Sequence, residues 1–101
     1  MGVNVGFDIA TFKPKLSYEL FGKNIRFKYR KYDTDGLVIY HRKKGTTNWN
    51  FLARTTKSPF VYQPSEITPN QPESWEFRAY GVIDDEEIGL ASDIIEIVLS
   101  A

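Results

Sequence analysis

The stretch "SWEFRAYGVIDDEEIGLASDIIEIVL", residues 74–99, reads as two β-strands joined by an acidic turn. Trp75, Phe77 and Ala79 alternate with Glu76, Arg78 and Tyr80, and later Ile95, Ile97 and Leu99 alternate with Ile94, Glu96 and Val98. A period of two is the signature of a strand with two distinct faces. An antiparallel sheet of a small domain ordinarily packs one face on the core and turns a polar face to water. Here apolar or aromatic residues stand on both, and that excess is the feature that bears on function.

Working outward, the same alternation recurs in short blocks separated by turn chemistry. Leu16, Tyr18 and Leu20 share a face before the turn "FGKN". In "NIRFKYRK" (24–31) Ile25, Phe27 and Tyr29 face one way and Arg26, Lys28 and Arg30 the other, a half-buried strand with a solvated basic face. "DTDG" (33–36) is a turn, because Asp caps locally and Gly accepts positive φ. "LVIYHRK" places Leu37, Ile39 and His41 opposite Val38, Tyr40 and Arg42. After "KKGTTN", unbroken alternation in "WNFLART" puts Trp49, Phe51 and Ala53 inward and Asn50, Leu52 and Arg54 outward. Pro59 and Pro64 bracket a short strand expected at a sheet edge, since proline cannot donate to a central ladder. "SEITPNQPES" is expected to be a crossover loop, with room for a single helical turn around "SEIT". Seven strands at such spacing predict an all-β, immunoglobulin-like sandwich.

The composition agrees with that class. The 101 residues fit one domain and include seven Phe, six Tyr and two Trp, a bias toward strands. A chain of this length buries roughly 60–70% of its unfolded surface, enough for one core without staples. With no cysteine there is neither a disulfide nor a thiolate metal site. Thirteen basic residues balance thirteen acidic ones, and the pI is near 6.6. That balance argues against nucleic acid as a partner. No apolar run approaches the roughly 18 residues of a transmembrane helix, so no membrane insertion is expected. "MGVNVGFDIATFKPK" lacks the charged and apolar regions of a signal peptide. The expectation is a cytoplasmic chain or a piece of a longer exported one.

From residue 14 to residue 99 the chain resembles a fibronectin type III domain, with residues 1–13 left as an N-terminal arm or extra strand. "NIRFKYRK" looks like that family's second strand, and "GLVIYHRKKGTTNWNFLA" like its C and C′ strands. "WEFRAYGVIDDEEIGLASDIIEIVL" is similar to its F strand, F–G loop and G strand. The resemblance implies an A-B-E sheet packed on a C-C′-F-G sheet. Two positions depart from the family pattern: Tyr29 stands for its core Trp, and Trp75 for its tyrosine-corner Tyr. An indole cannot make the same O–H bond, so packing or another group must hold the corner. The departures suggest a divergent, bacterial branch. No "RGD" is present, and integrin binding is not implied.

No catalytic signature accompanies the fold. His41, the single histidine, falls on the core-side face at a strand end, where a structural role is expected. There is no phosphate loop, H-E-x-x-H or G-x-S-x-G. "DDEE" (84–87) offers hard oxygens, but consecutive carboxylates seldom converge on one ion, and a solvated loop is expected. The reading is a non-enzyme without cofactor or metal.

On the second face, the residues singled out are Val38, Tyr40, Leu52, Arg54, Arg78, Tyr80, Ile94 and Val98. Apolar patches rimmed by Tyr and Arg mark interaction sites. Three accounts stay open. In the first, the residues simply pair across strands and stabilise the sheet. In the second, they dock protein: a neighbouring domain, a second copy, or the arm with its alternating Val3, Val5, Phe7 and Ile9. In the third, Tyr40, Tyr80 and Trp49 form a platform for sugar rings, as in carbohydrate-binding modules, against which stands the inward assignment of Trp49.

Overall fold

The computed structural model describes residues 9–64 and 71–99. Among these residues are eight strands and no helix: β1 (Ser17–Phe21), β2 (Asn24–Lys28), β3 (Gly36–Lys43), β4 (Asn50–Thr55), β5 (Phe60–Tyr62), β6 (Glu73–Ile83), β7 (Glu86–Ile88) and β8 (Ile95–Leu99). They form two antiparallel sheets, β1-β2-β5 and β4-β3-β6-β7, with β8 also on β6. The expected helical turn around 65–68 lies outside the described residues.

Turn chemistry explains the two tightest hairpins. In the β1–β2 hairpin Phe21 and Asn24 are in register, leaving Gly22 and Lys23 as a two-residue loop. Gly22 takes φ 58° at the first of these positions, as a type II′ turn demands. In the β6–β7 hairpin Ile83 is in register with Glu86, and Asp84 and Asp85 both have positive φ, 51° and 66°. That is a type I′ turn, whose twist matches the strands it joins. Only two of the four residues of "DDEE" therefore turn. Glu86 and Glu87 enter β7, an eighth strand where seven were expected.

β7 and β8 pair with successive halves of β6 and together act as one interrupted strand. At the break, the Ser92 N–H donates to the Ala79 carbonyl and the Ala79 N–H donates to Ser92 Oγ, both at 2.8 Å. A serine hydroxyl thus fills the acceptor position that a neighbouring backbone would otherwise supply.

The sheets meet through one core. Ile25, Phe27 and Tyr29 of the smaller sheet and the residue after it pack against Leu37, Ile39, Phe77, Ala79, Ile97 and Leu99, with the Phe27 and Phe77 ring centroids 5.2 Å apart. Tyr29 is buried and keeps its hydroxyl satisfied at 3.1 Å from Thr55 Oγ1. Because Thr55 donates its own proton to the Lys57 carbonyl at 2.8 Å, the phenol is the donor. Burial raises the Tyr29 pKa.

One irregularity changes the face assignments. Along β3–β4, Leu37, Val38 and Ile39 are in register with Thr55, Arg54 and Ala53, but Tyr40 is in register with Phe51. Leu52 is the extra residue of a β-bulge. A single added residue reverses the phase of everything before it on that strand. Leu52 therefore packs on the core, while Phe51 is 62% exposed. The inward assignment of Trp49 and Phe51 and the outward assignment of Leu52 are both corrected.

Ahead of β1, the Phe12 ring lies so close to Gly81 that a Cβ there would overlap it. The Leu90 N–H donates to the Phe12 carbonyl at 2.8 Å, and Lys13 pairs with Asp93 at 2.6 Å. The described part of the arm therefore runs beside residues 89–93 and does not cross the outer side of the larger sheet. Val3, Val5 and Phe7 lie outside the described residues.

Candidate interaction face

β3 and β6 are flanked on both sides, and each buries one face in the core. What remains is the outward side of the larger sheet. In register across β4, β3 and β6 stand Phe51, Tyr40 and Arg78. In the next outward row Arg42 faces Glu76, and Glu76 faces Glu96 of β8. Just before β4, the Trp49 ring has the Arg42 guanidinium 4.2 Å from its centroid and the Arg78 guanidinium at 4.4 Å. Arg78 also lies 5.7 Å from the Tyr80 centroid. The result is a stack in the order Arg42, Trp49, Arg78, Tyr80. Each such contact contributes about 0.5–1 kcal/mol when exposed and more when water is excluded.

Tyr40 ties the stack to its surroundings. Its ring meets Phe51 and Tyr80 edge to face, with centroids 6.4 and 6.2 Å away and interplanar angles of 83° and 87°. The phenol donates to a Glu87 carboxylate oxygen. That bond to an anion, followed by burial, pushes the Tyr40 pKa up to about 12. Ion pairs occupy the remaining carboxylates: Arg42 with Glu76 at 2.8 Å, Lys44 with Glu96 at 3.1 Å and Arg54 with Asp85 at 2.7 Å.

The residues singled out from sequence are only partly brought together. Tyr40, Arg78 and Tyr80 sit at the centre, and Arg54 lies beside them. Val38 points outward between Arg54 and Tyr80, yet only 6% of it is exposed. Leu52 is on the opposite side, in the core. Val98 and Ile94 are exposed, but the paired row of Arg42, Glu76, Glu96 and Lys44 separates Val98 from Tyr40 and Phe51. Phe51 and Glu87 were not expected on this face; Arg42 was placed outward and Trp49 was weighed only for a sugar platform, and neither was among the eight residues singled out. The adjacent apolar pair Phe51 and Leu52 was the available signal, since strict alternation must misplace one of two neighbours.

His41 belongs to the inner side. It stacks on Trp75 at 5.1 Å and 27° and lies near Tyr62 and Phe77. Trp75 donates its indole N–H to Glu73 Oε1 at 3.3 Å, so the bond that a tyrosine hydroxyl would direct elsewhere goes to its own strand. Among the described residues, no group of three His, Asp or Glu could hold a metal ion. A surface depression of about 300 Å³ lined by Lys15, Ser17, Lys28, Tyr29, Arg30 and Tyr32 lies by the smaller sheet. No protein-family model matches the chain, and no curated protein is significantly similar to it.

Proposed function

We propose that this chain is a divergent fibronectin type III-like sandwich, of bacterial type, acting as a non-catalytic module for protein–protein contact or spacing within a larger assembly. The observation that carries the reading is the outward side of the larger sheet. There an exposed Phe51 rests on a layer of stacked Arg, Trp and Tyr side chains. Such rigid aromatic and Arg anchors are what interfaces favour. The path of the chain suits a spacer. Phe12 lies at the Gly81 end of β6, whereas Leu99 is in register with Glu73 at its other end. Those ends are about 26 Å apart at the usual rise of a strand, so neighbours on the two sides would be held apart.

A photo-crosslinking amino acid placed at position 51, and separately at position 61 on the smaller sheet, tests the contact in the intact protein in its native cells. Adducts to a neighbouring domain, a second copy or another protein from position 51 alone support it. Equal adducts from both positions, or none from position 51, sink it.

The second reading is a carbohydrate-binding accessory module, and the outward turn of Trp49 and Phe51 favours it. Ring geometry weighs against it, because sugar platforms need open, coplanar rings. Two guanidiniums already lie over Trp49, and Tyr40 stands nearly perpendicular to Phe51 and Tyr80. Retardation on a polysaccharide affinity gel that disappears in Phe51→Ala would reverse the order of the two readings.

A further inference from the structure

We infer that Arg78 is a receptor for a carboxylate presented by a partner protein, with an apolar side chain of the same partner seated on Phe51. The inference rests on the protein-contact reading and specifies its chemistry. The outward face holds the cations Arg42, Lys44, Arg54 and Arg78 and the carboxylates of Glu76, Asp85, Glu87 and Glu96. Three cations have carboxylate partners: Arg42 with Glu76, Lys44 with Glu96 and Arg54 with Asp85. The fourth carboxylate, Glu87, takes the Tyr40 hydroxyl. Arg78 is left, among the described residues, without an acidic partner.

Its setting differs from that of a solvated surface arginine. Its guanidinium lies over the rings of Trp49 and Tyr80, 4.4 and 5.7 Å from their centroids, and a guanidinium on a ring face keeps its N–H donors in its own plane. Nε is shut off from solvent and has no acceptor. The terminal nitrogens carry the fork geometry that carboxylates match. A cation already stripped of part of its hydration gains more from an incoming anion than one in bulk water.

Arg26 provides an internal contrast. It too has a buried Nε without an acceptor and lies over a ring, Phe21, at 4.8 Å. But Glu19 is in register with it on the neighbouring strand and feels its charge. That carboxylate is ion-paired with Lys28, but it still sets an anion directly opposite the ring-covered arginine of the smaller sheet, whereas the residue opposite Arg78 on β3 is Tyr40. Phe51, in register with Tyr40 on the side away from Arg78, adds the apolar contact. The neutral overall charge favours a carboxylate on protein over the phosphates of nucleic acid.

The test is an array of random peptides probed with the intact chain, a double-stranded DNA oligonucleotide, and the variants Arg78→Lys, Arg78→Gln, Phe51→Ala and Arg30→Gln. Arg78→Lys keeps the charge but loses the planar fork, so it separates recognition from a failure to fold, and circular dichroism checks folding directly. The expected result is retention enriched for Asp or Glu next to an apolar residue. It should fall at least about tenfold in both Arg78 variants, fall less in Phe51→Ala and hold in Arg30→Gln. Retention without acidic enrichment, or unchanged in the Arg78 variants, overturns the carboxylate receptor and leaves protein contact standing. Acidic peptides lost in Arg30→Gln place the site on the smaller sheet and overturn it. DNA retained through Arg78 overturns it in favour of phosphate. No peptide retained overturns it too, and the protein-contact reading is then decided separately by the adducts from positions 51 and 61.

Discussion

The outward sides of the two sheets are built from the same residue types and finished differently. On β1 and β2, Arg26 covers Phe21 and Lys28 pairs with Glu19, so each ring or charge is settled by its immediate neighbour. On β3, β4 and β6, Arg42 and Arg78 enclose Trp49, and Tyr40 bridges Phe51 and Tyr80. One side is a thin polar skin and the other a second packed layer. The difference comes from register: the bulge at Leu52 brings a ring beside Tyr40 where continuous alternation would have placed a leucine. Whether a sheet's outer side becomes a layer depends on which side chains share a row, more than on how many are apolar.

Removing the joint common to both sheets should have the largest effect. Phe27→Ala or Phe77→Ala empties a site that is fully buried, and each should cost about 3–5 kcal/mol in urea denaturation. A loss below about 1 kcal/mol would mean that the sheets are not packed through these rings.

The bulge can be broken or sharpened with two neighbouring substitutions. Leu52→Lys buries a charge in the core and should cost about 2–4 kcal/mol, whereas Phe51→Lys should stay within about 1 kcal/mol. The opposite order would restore continuous alternation on β4 and return Trp49 and Phe51 to the core.

A smaller contrast concerns the rings themselves. Trp49→Ala should cost about 1–3 kcal/mol, because two guanidinium contacts and the packed indole go together. Phe21→Ala, with one such contact on an exposed hairpin end, should cost less than about 1 kcal/mol. Equal losses would show that the larger sheet carries no second layer.

Much of this arrangement was legible from local chemistry. Alternation in "NIRFKYRK" places Ile25, Phe27 and Tyr29 inward, as found, because no residue breaks the period. "DTDG" and the Gly22 turn announce themselves through residues that accept positive φ. His41 on the core side also follows from parity along β3. What could not be read was where the period fails. In "WNFLART" either Phe51 or Leu52 satisfies the pattern, and the choice is made by the partner strand, which local sequence does not contain. The same holds for β7: "DDEE" reads as one acidic turn, but only two residues are needed to reverse the chain, and β6 extends far enough to pair with the rest. The candidate site suffered most, since its central ring, Trp49, depends on the bulge.

The least disruptive substitution separates the two outer sides by pH. Lys28, through a hydrogen bond and its charge, holds the Glu19 carboxyl below its usual range. A depressed carboxylate supports folding above its unfolded value and stops doing so as pH falls through the folded one. The smaller sheet's outer pair is thus an acid-sensitive element. Tyr40 is the reverse case. With its pKa pushed up to about 12 by Glu87 and burial, the neutral phenol supports folding fully below pH about 10, the ordinary value. That support is lost as pH rises toward 12. In Glu87→Gln an uncharged amide oxygen can still accept the hydrogen bond, but the carboxylate's repulsion of the phenolate is gone. The Tyr40 ring-carbon resonance in a pH titration should then move its midpoint down toward 10, and the loss of stability between pH about 10 and 12 should shrink, with acid unfolding unchanged. A Tyr40 midpoint that ignores the substitution would detach Glu87 from the face and leave the stack of Arg42, Trp49, Arg78 and Tyr80 to order it alone.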